Sequence, residues 1–245
     1  MADTKVEARL GGETVIGDCD YDGRIILYVI KADQTSWVNY IKPIILAEEM
    51  KFPYLLSVID TTSQWFYKVH PERMVPSLKD QDPETKEEAI VFEGTACLQY
   101  LTDRFDDGTW SGRTAYEKSQ VLSWTAYQTA AIGPTAKYWL YFLRGYPTRA
   151  NPIQLPETIE KLHSNVLGQW DILDKRLAIP GQNYIALKDR PTIADISYFP
   201  FAMPWMFKLL SVDIKDWPNI EAWSKRMLER PAVKTVLEGA PTIGH

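Results

Sequence analysis

Two short stretches carry residue types able to recognise a small ligand: Val69-His70-Pro71-Glu72-Arg73-Met74-Val75-Pro76-Ser77-Leu78 and Ile90-Val91-Phe92-Glu93-Gly94-Thr95. A proline after the β-branched Val75, at the entrance to a short strand, has no N–H to give a ladder and suits a locked turn, for which a cis bond is one common form. Such a turn leaves the backbone N–H and C=O of Val75 facing outward, and these two groups hold an extended peptide by strand-like pairing. Glu93 and Gly94 fall where a strand over residues 89–92 gives way to a helix with Leu98, Leu101 and Phe105 on one face. The first N–H groups of that helix have no partner within it and its dipole is positive there, which favours a carboxylate. A backbone clamp, an acid for an ammonium and a helix mouth for a carboxylate together describe a site for an amino-acid-like ligand.

The other reactive side chains form no such constellation. Cys19 and Cys97 are too few for a disulfide framework and make no C-x-x-C pair, so both read as plain thiols. The three histidines, at 70, 163 and 245, lack metal-ligand spacing, and no metal is expected. A net charge of -5 without a Lys/Arg cluster argues against nucleic acid as the main partner. The first residues hold Asp3, Lys5, Glu7 and Arg9 with no apolar run, and no stretch is long and apolar enough to span a bilayer. The expected setting is therefore the cytoplasm. Nine Trp and thirteen Tyr within 45% apolar residues are ample for a core, and would also suit a pocket for a flat apolar molecule.

The elements that must position these residues follow from periodicity. Residues 1–23 are polar and aperiodic and read as a flexible extension. Residues 24–105 read as a small α/β domain. Arg24–Ile30 is a continuous β-prone run, then comes a helix with Ile41, Ile44 and Ile45 inward, a second strand at residues 54–59, an irregular piece near residues 64–67 and the Val75-Pro76 turn. Asp80 to Glu88 reads as a solvated charged loop between two strands. Residues 106–115, with Asp106-Asp107-Gly108 and Ser111-Gly112, read as a linker. Residues 116–245 read as all helical: a long helix interrupted at Gly133-Pro134, a one-faced helix over residues 157–177, a helix from Thr192 kinked at Pro200 and Pro204, and a last helix from about Asn219 with a break at Pro231. Thr192 and Asp195 have the spacing of a capping box, a folding role.

The two ligand-type stretches resemble the glutathione site of the glutathione transferase family, whose pattern is roughly Asn-Pro-x-x-x-Val-Pro-x-Leu followed by Glu-Ser-x-Ala-Ile-x-x-Tyr-Leu. Here the matching residues are His70-Pro71 through Val75-Pro76-Ser77-Leu78, and Glu93-Gly94-Thr95-Ala96-Cys97-Leu98-Gln99-Tyr100-Leu101. The Thr192-Ile193-Ala194-Asp195 box is a third match. The resemblance implies an α/β thioredoxin-like N-terminal domain followed by an all-α C-terminal domain. It implies glutathione as co-substrate, bound at Met74, Val75, Pro76, Glu93 and Gly94, and a homodimer. Gly94 departs from the family's Ser and Met74 from its frequent Lys or Arg, so Arg73 becomes a candidate for the glycyl carboxylate.

The loop after the first strand, Gln34-Thr35-Ser36-Trp37-Val38-Asn39-Tyr40-Ile41-Lys42, is similar to the Ser-x-Pro-Asn-Gly-x-Lys of fungal members related to the yeast prion protein that regulates nitrogen use. Ser36, Asn39 and Lys42 match, whereas Val38 and Tyr40 replace Pro and Gly. The resemblance makes Ser36, Asn39 or a bare backbone N–H the partner of the glutathione thiol. Residues 130–142 and 186–196 are similar to segments of glutathione transferases from the gliotoxin and pseurotin type of fungal pathway, which implies an apolar second substrate, with Tyr127 and Tyr138 as pocket residues. Three functions stay open: conjugation of glutathione to an electrophilic natural product, cis/trans isomerisation by transient thiol addition, and a non-catalytic binding or regulatory role.

Overall fold

A computed structural model describes residues 10–33 and 36–245; residues 1–9, Gln34 and Thr35, which include much of the expected extension and the start of the thiol loop, lie outside the described residues. The chain divides into two compact units. The first ends at Gly108 and takes in Met227–His245, and the second is Thr109–Arg226.

The first unit is built on a five-stranded sheet of order β1-β3-β2-β4-β5, formed by β1 (Glu13–Ile16), β2 (Ile25–Ile30), β3 (Tyr54–Ile59), β4 (Ser77–Gln81) and β5 (Glu88–Phe92). The β-branched run of β2 is central because every residue from Ile25 to Val29 is buried. It pairs parallel with β3 and antiparallel with β4, opposing Tyr28 to Ser77. Strand β5 then returns antiparallel, with Phe92 opposite Ser77. This is the mixed sheet of a thioredoxin-like domain. Helix α1 (Ile41–Met50) buries Ile41, Ile44 and Ile45, as the sequence predicts, and α2 (Gly94–Phe105) buries Leu98 and Leu101.

Three expectations for this unit are corrected. Glu13–Ile16 lies within the segment read as a flexible extension, but it pairs parallel with β3 and adds an edge strand. Asp80 is not solvated. Strand β4 runs through it, it is 1% exposed, and its carboxylate accepts hydrogen bonds from Tyr21 Oη at 3.0 Å and Tyr100 Oη at 2.9 Å, with Arg104 Nε at 3.4 Å. Of that segment only residues 83–88 are exposed. The C-terminal tail, expected to complete the helical half, belongs with the sheet instead: α9 (Pro231–Gly239) packs on α1, and Arg230 Nη2 donates to Glu49 Oε2 at 2.7 Å.

The second unit is helical, with α3 (Ala115–Ala130), α4 (Ile132–Arg144), α5 (Pro156–Leu177), α6 (Ile193–Tyr198), α7 (Pro204–Leu209) and most of α8 (Pro218–Leu228). The break between α3 and α4 falls at Ala131, just ahead of Gly133-Pro134. Thr114, at the end of the expected linker, accepts the Glu117 N–H as cap of α3. The helix expected from Thr192 onward is not one kinked rod. A proline has no N–H to give and crowds the preceding turn, so α6 ends in a 3-10 turn at residues 199–201 and Pro204 starts α7 afresh.

The capping box is present in full. Thr192 Oγ1 accepts the Ala194 N–H, and the fully buried Asp195 takes the N–H groups of Thr192 and Ile185, each at 2.8 Å, together with the Trp223 Nε1–H at 2.9 Å. Burial raises the Asp195 carboxyl to about 6, against the pull of these donors.

Candidate active site

The sheet register brings the candidate residues of the first unit to one end. Tyr28 and Phe92 both oppose Ser77, so the exit of β2, the turn before β4 and the exit of β5 share one end of the sheet. The peptide Val75–Pro76 is cis. Neither the N–H nor the C=O of Val75 is taken up by another group among the described residues, which leaves both for an extended ligand. Met74 beside it is 46% exposed, and its carbonyl accepts the Ser77 hydroxyl at 3.1 Å.

Glu93 closes β5 and sits at the N-cap of α2 with φ 74°, a left-handed backbone that non-glycine residues rarely adopt. Its carboxylate does not cap its own helix and is 65% exposed, so it faces whatever approaches the sheet end. Gly94 opens the helix with its N–H unclaimed by any preceding turn, as the first position of a helix must. A Cβ there would lie 3.6 Å from Pro76 Cγ and 4.0 Å from Lys42 Cδ, ordinary contacts, so a serine would fit where the family pattern has one. Cys97 is fully buried behind Pro76, and burial pushes its thiol up to about 12, so it remains a packing thiol.

The loop after β2 presents its two candidates differently. Val38 and Tyr40 turn inward and are buried, which leaves Asn39 between them exposed. The Ser36 hydroxyl already accepts the Asp33 N–H at 2.8 Å, so it serves the turn while keeping its own proton to donate. The C-terminal tail holds the start of this loop: Ala32 donates its N–H to Ile243 O at 2.9 Å and accepts from the His245 ring at 2.8 Å. Arg73, the candidate for a glycyl carboxylate, is engaged elsewhere. It donates to Thr62 O at 2.8 Å and stacks 4.4 Å above the Tyr67 ring.

Two residues that sequence reasoning gave no role also line this corner. Lys42 is 5% exposed, and burial drops its ammonium to about 7 while the Glu93 carboxylate pulls the other way. His70, read as structural, is 2% exposed with Nε2 3.8 Å from Glu93 Oε1. Lys42 was signalled by its match to the last residue of the Ser-x-Pro-Asn-Gly-x-Lys pattern and by its place in an otherwise apolar helix start.

Within the second unit, the groove at Tyr138 does not include Tyr127. Tyr138 is 52% exposed and lines a groove of about 430 Å³ with Phe142 of α4 and Glu157, Thr158, Lys161 and Leu162 of α5. Tyr127 instead packs on Trp124, centroids 6.0 Å apart, and Trp124 meets Tyr198 and the Arg176 guanidinium. Among the described residues no group of His, Cys, Asp or Glu is placed to hold a metal, and no helix is long and apolar enough to cross a membrane.

The chain is similar to known proteins over most of its length. Residues 140–231 match the family model "Glutathione S-transferase, C-terminal domain". The chain is 75% identical over 227 residues to "Glutathione S-transferase aclG" of Aspergillus oryzae, covering 92% of this chain and 100% of that protein. It belongs to the glutathione S-transferase family. It is also 64% identical over 214 residues to the "Trimodular acetylaranotin synthesis protein ataIMG" of Aspergillus terreus, covering 87% of this chain and 21% of that longer protein. Among solved structures, a glutathione transferase homolog from Lodderomyces elongisporus, crystallised with two glutathione molecules per subunit, superposes with TM-score 0.75 at 25% identity, covering 88% of this chain and 98% of that one. In this enzyme family the fold inferred from the two motifs is the fold found.

Proposed function

We propose that the enzyme binds glutathione at the sheet end around Val75 and Glu93 and delivers its thiolate to an electrophilic, largely apolar small molecule of a fungal secondary-metabolic route. The observation that carries this reading is the convergence at one end of the sheet of an unclaimed Val75 backbone, an exposed Glu93 carboxylate and the mouth of α2. Glutathione offers an ammonium for Glu93, a γ-glutamyl carboxylate for the Gly94 N–H and a peptide for Val75. The name of the acetylaranotin synthesis relative supports the metabolic setting, and the glutathione in the Lodderomyces structure supports the co-substrate.

Chemistry at this site needs a thiolate. A thiol of pKa near 8.5 is only a few per cent ionised at pH 7, and lowering it by about two units takes roughly 2.7 kcal/mol of preferential stabilisation. A hydroxyl from Ser36, an amide N–H from Asn39 or a backbone N–H of that loop, aided by a helix N-terminus, supplies energy on this scale. The thiol proton leaves to solvent, the sulfur lone pair forms the C–S bond, and the electrophile takes up the displaced electron pair. The enzyme acts in this reading as a cytoplasmic homodimer, which sedimentation of the pure protein and fractionation of the producing cell would test.

The decisive experiment combines the enzyme, glutathione and an apolar electrophile and weighs the product. A gain of one or two tripeptides supports conjugation. An unchanged mass with a shifted absorbance replaces it with isomerisation. No heat on calorimetric titration with glutathione overturns the reading.

A further inference from the structure

Glu93 has an exposed carboxylate that does nothing for its own helix, so left alone it would sample several rotamers and lose affinity when an ammonium ordered it. The structure places a rigid donor beside it. His70 precedes Pro71, its backbone N–H donates to Phe66 O at 2.9 Å, and its ring packs edge-on against Phe92 with centroids 5.0 Å apart. Its Nδ1 accepts the Glu72 N–H at 3.0 Å, which puts the proton of the neutral ring on Nε2. That Nε2 is the atom 3.8 Å from Glu93 Oε1, just beyond hydrogen-bond length, so a small rotation of the exposed Glu93 side chain closes the bond. The imidazole is thus fixed in place, tautomer and direction before any ligand arrives.

We propose that His70 is a positioning residue for Glu93: its Nε2–H steadies one carboxylate oxygen so that the other is presented to the ammonium of glutathione. This rests on the reading of Glu93 as the ammonium partner. The histidine stands where the family pattern carries Asn. An Asn amide reaches about as far as Nδ1, whereas Gln reaches about as far as Nε2, so the two amides divide the ring's functions between them.

The test is a double-mutant cycle on the full chain, read by calorimetry with glutathione and with its deaminated analogue, which lacks the ammonium. His70→Phe and His70→Asn weaken glutathione roughly 3–10-fold, the scale of one hydrogen bond, and leave the analogue unchanged. His70→Gln restores affinity to within about twofold of the parent. In a Glu93→Gln background the His70 substitutions have no further effect. Equal losses for both ligands, losses that persist beside Glu93→Gln, or a Gln variant as weak as the Asn variant overturn the proposal. If His70→Phe fails to fold, the comparison of Asn with Gln decides alone. Glu93→Gln by itself separates the two layers: unchanged glutathione binding there overturns the ammonium reading, while a loss there with none at His70→Phe or His70→Asn removes only the role of the histidine.

Discussion

Replacing Lys42 with methionine tests how the first unit tolerates a charge in its interior. The lysine is 5% exposed and its ammonium is lowered from 10.5 to about 7, mainly by burial, with Glu93 opposing. At about 1.4 kcal/mol per pH unit, this displacement corresponds to ~5 kcal/mol against the charged form in the folded state. The sign follows from proton counting. Between pH 7 and 10.5 the unfolded chain holds a proton on this group that the folded chain has given up, so this lysine's contribution to stability improves as pH rises through that window and is poorest below about pH 7. Methionine fills a similar volume without the charge. The stability of Lys42→Met relative to the parent is therefore expected to fall by roughly 4 kcal/mol as pH rises from 6 to 10.5, with more than half of that change complete by pH 9. Urea denaturation of both proteins at those three pH values, with equal slopes, gives the comparison. A gap that stays constant across the series refutes the reasoning.

Other perturbations have equally definite outcomes. Asp195→Ala leaves the N–H groups of Thr192, Ile185 and Trp223 without their acceptor inside the second unit and should cost ~3 kcal/mol or more in denaturant unfolding, whereas a loss below ~1 kcal/mol would show that the box is dispensable. Tyr100→Phe removes one of the hydrogen bonds to the buried Asp80, and the phenol itself is held up to about 12, first by burial and then by that carboxylate; a loss of ~1 kcal/mol and disappearance of a late tyrosine titration step are expected in denaturation and ultraviolet titration. Gly12→Ala would drive a Cβ into the Tyr54 ring at Cε2, and the Tyr54 hydroxyl is tied to Glu48, so the edge strand must shift; faster hydrogen exchange confined to residues 13–16 and their β3 partners is the expected signature, and unchanged exchange there would count against that packing.

Much of the fold was legible because its signals are local. The buried run of β2, the three-to-four residue spacing on α2 and α5, and the Thr192–Asp195 box each lie within a few residues of chain, where period and side-chain chemistry dictate the backbone. The Val75-Pro76 and Glu93-Gly94 stretches were likewise readable, since a proline without an N–H and an acid at a helix mouth constrain the same few bonds wherever they occur.

The sequence by itself therefore determined most strands and helices between residues 24 and 198, the two motifs and the capped helix start. Tertiary structure alone decided that Glu13–Ile16 joins the sheet, that the tail after Met227 packs with the first unit, that Asp80 and Lys42 are buried, and that His70 lies beside Glu93. These features pair residues far apart in the chain. A polar side chain such as Asp80 or Lys42 reads as solvated until distant partners enclose it, and no periodicity of one sequence records which partners those are.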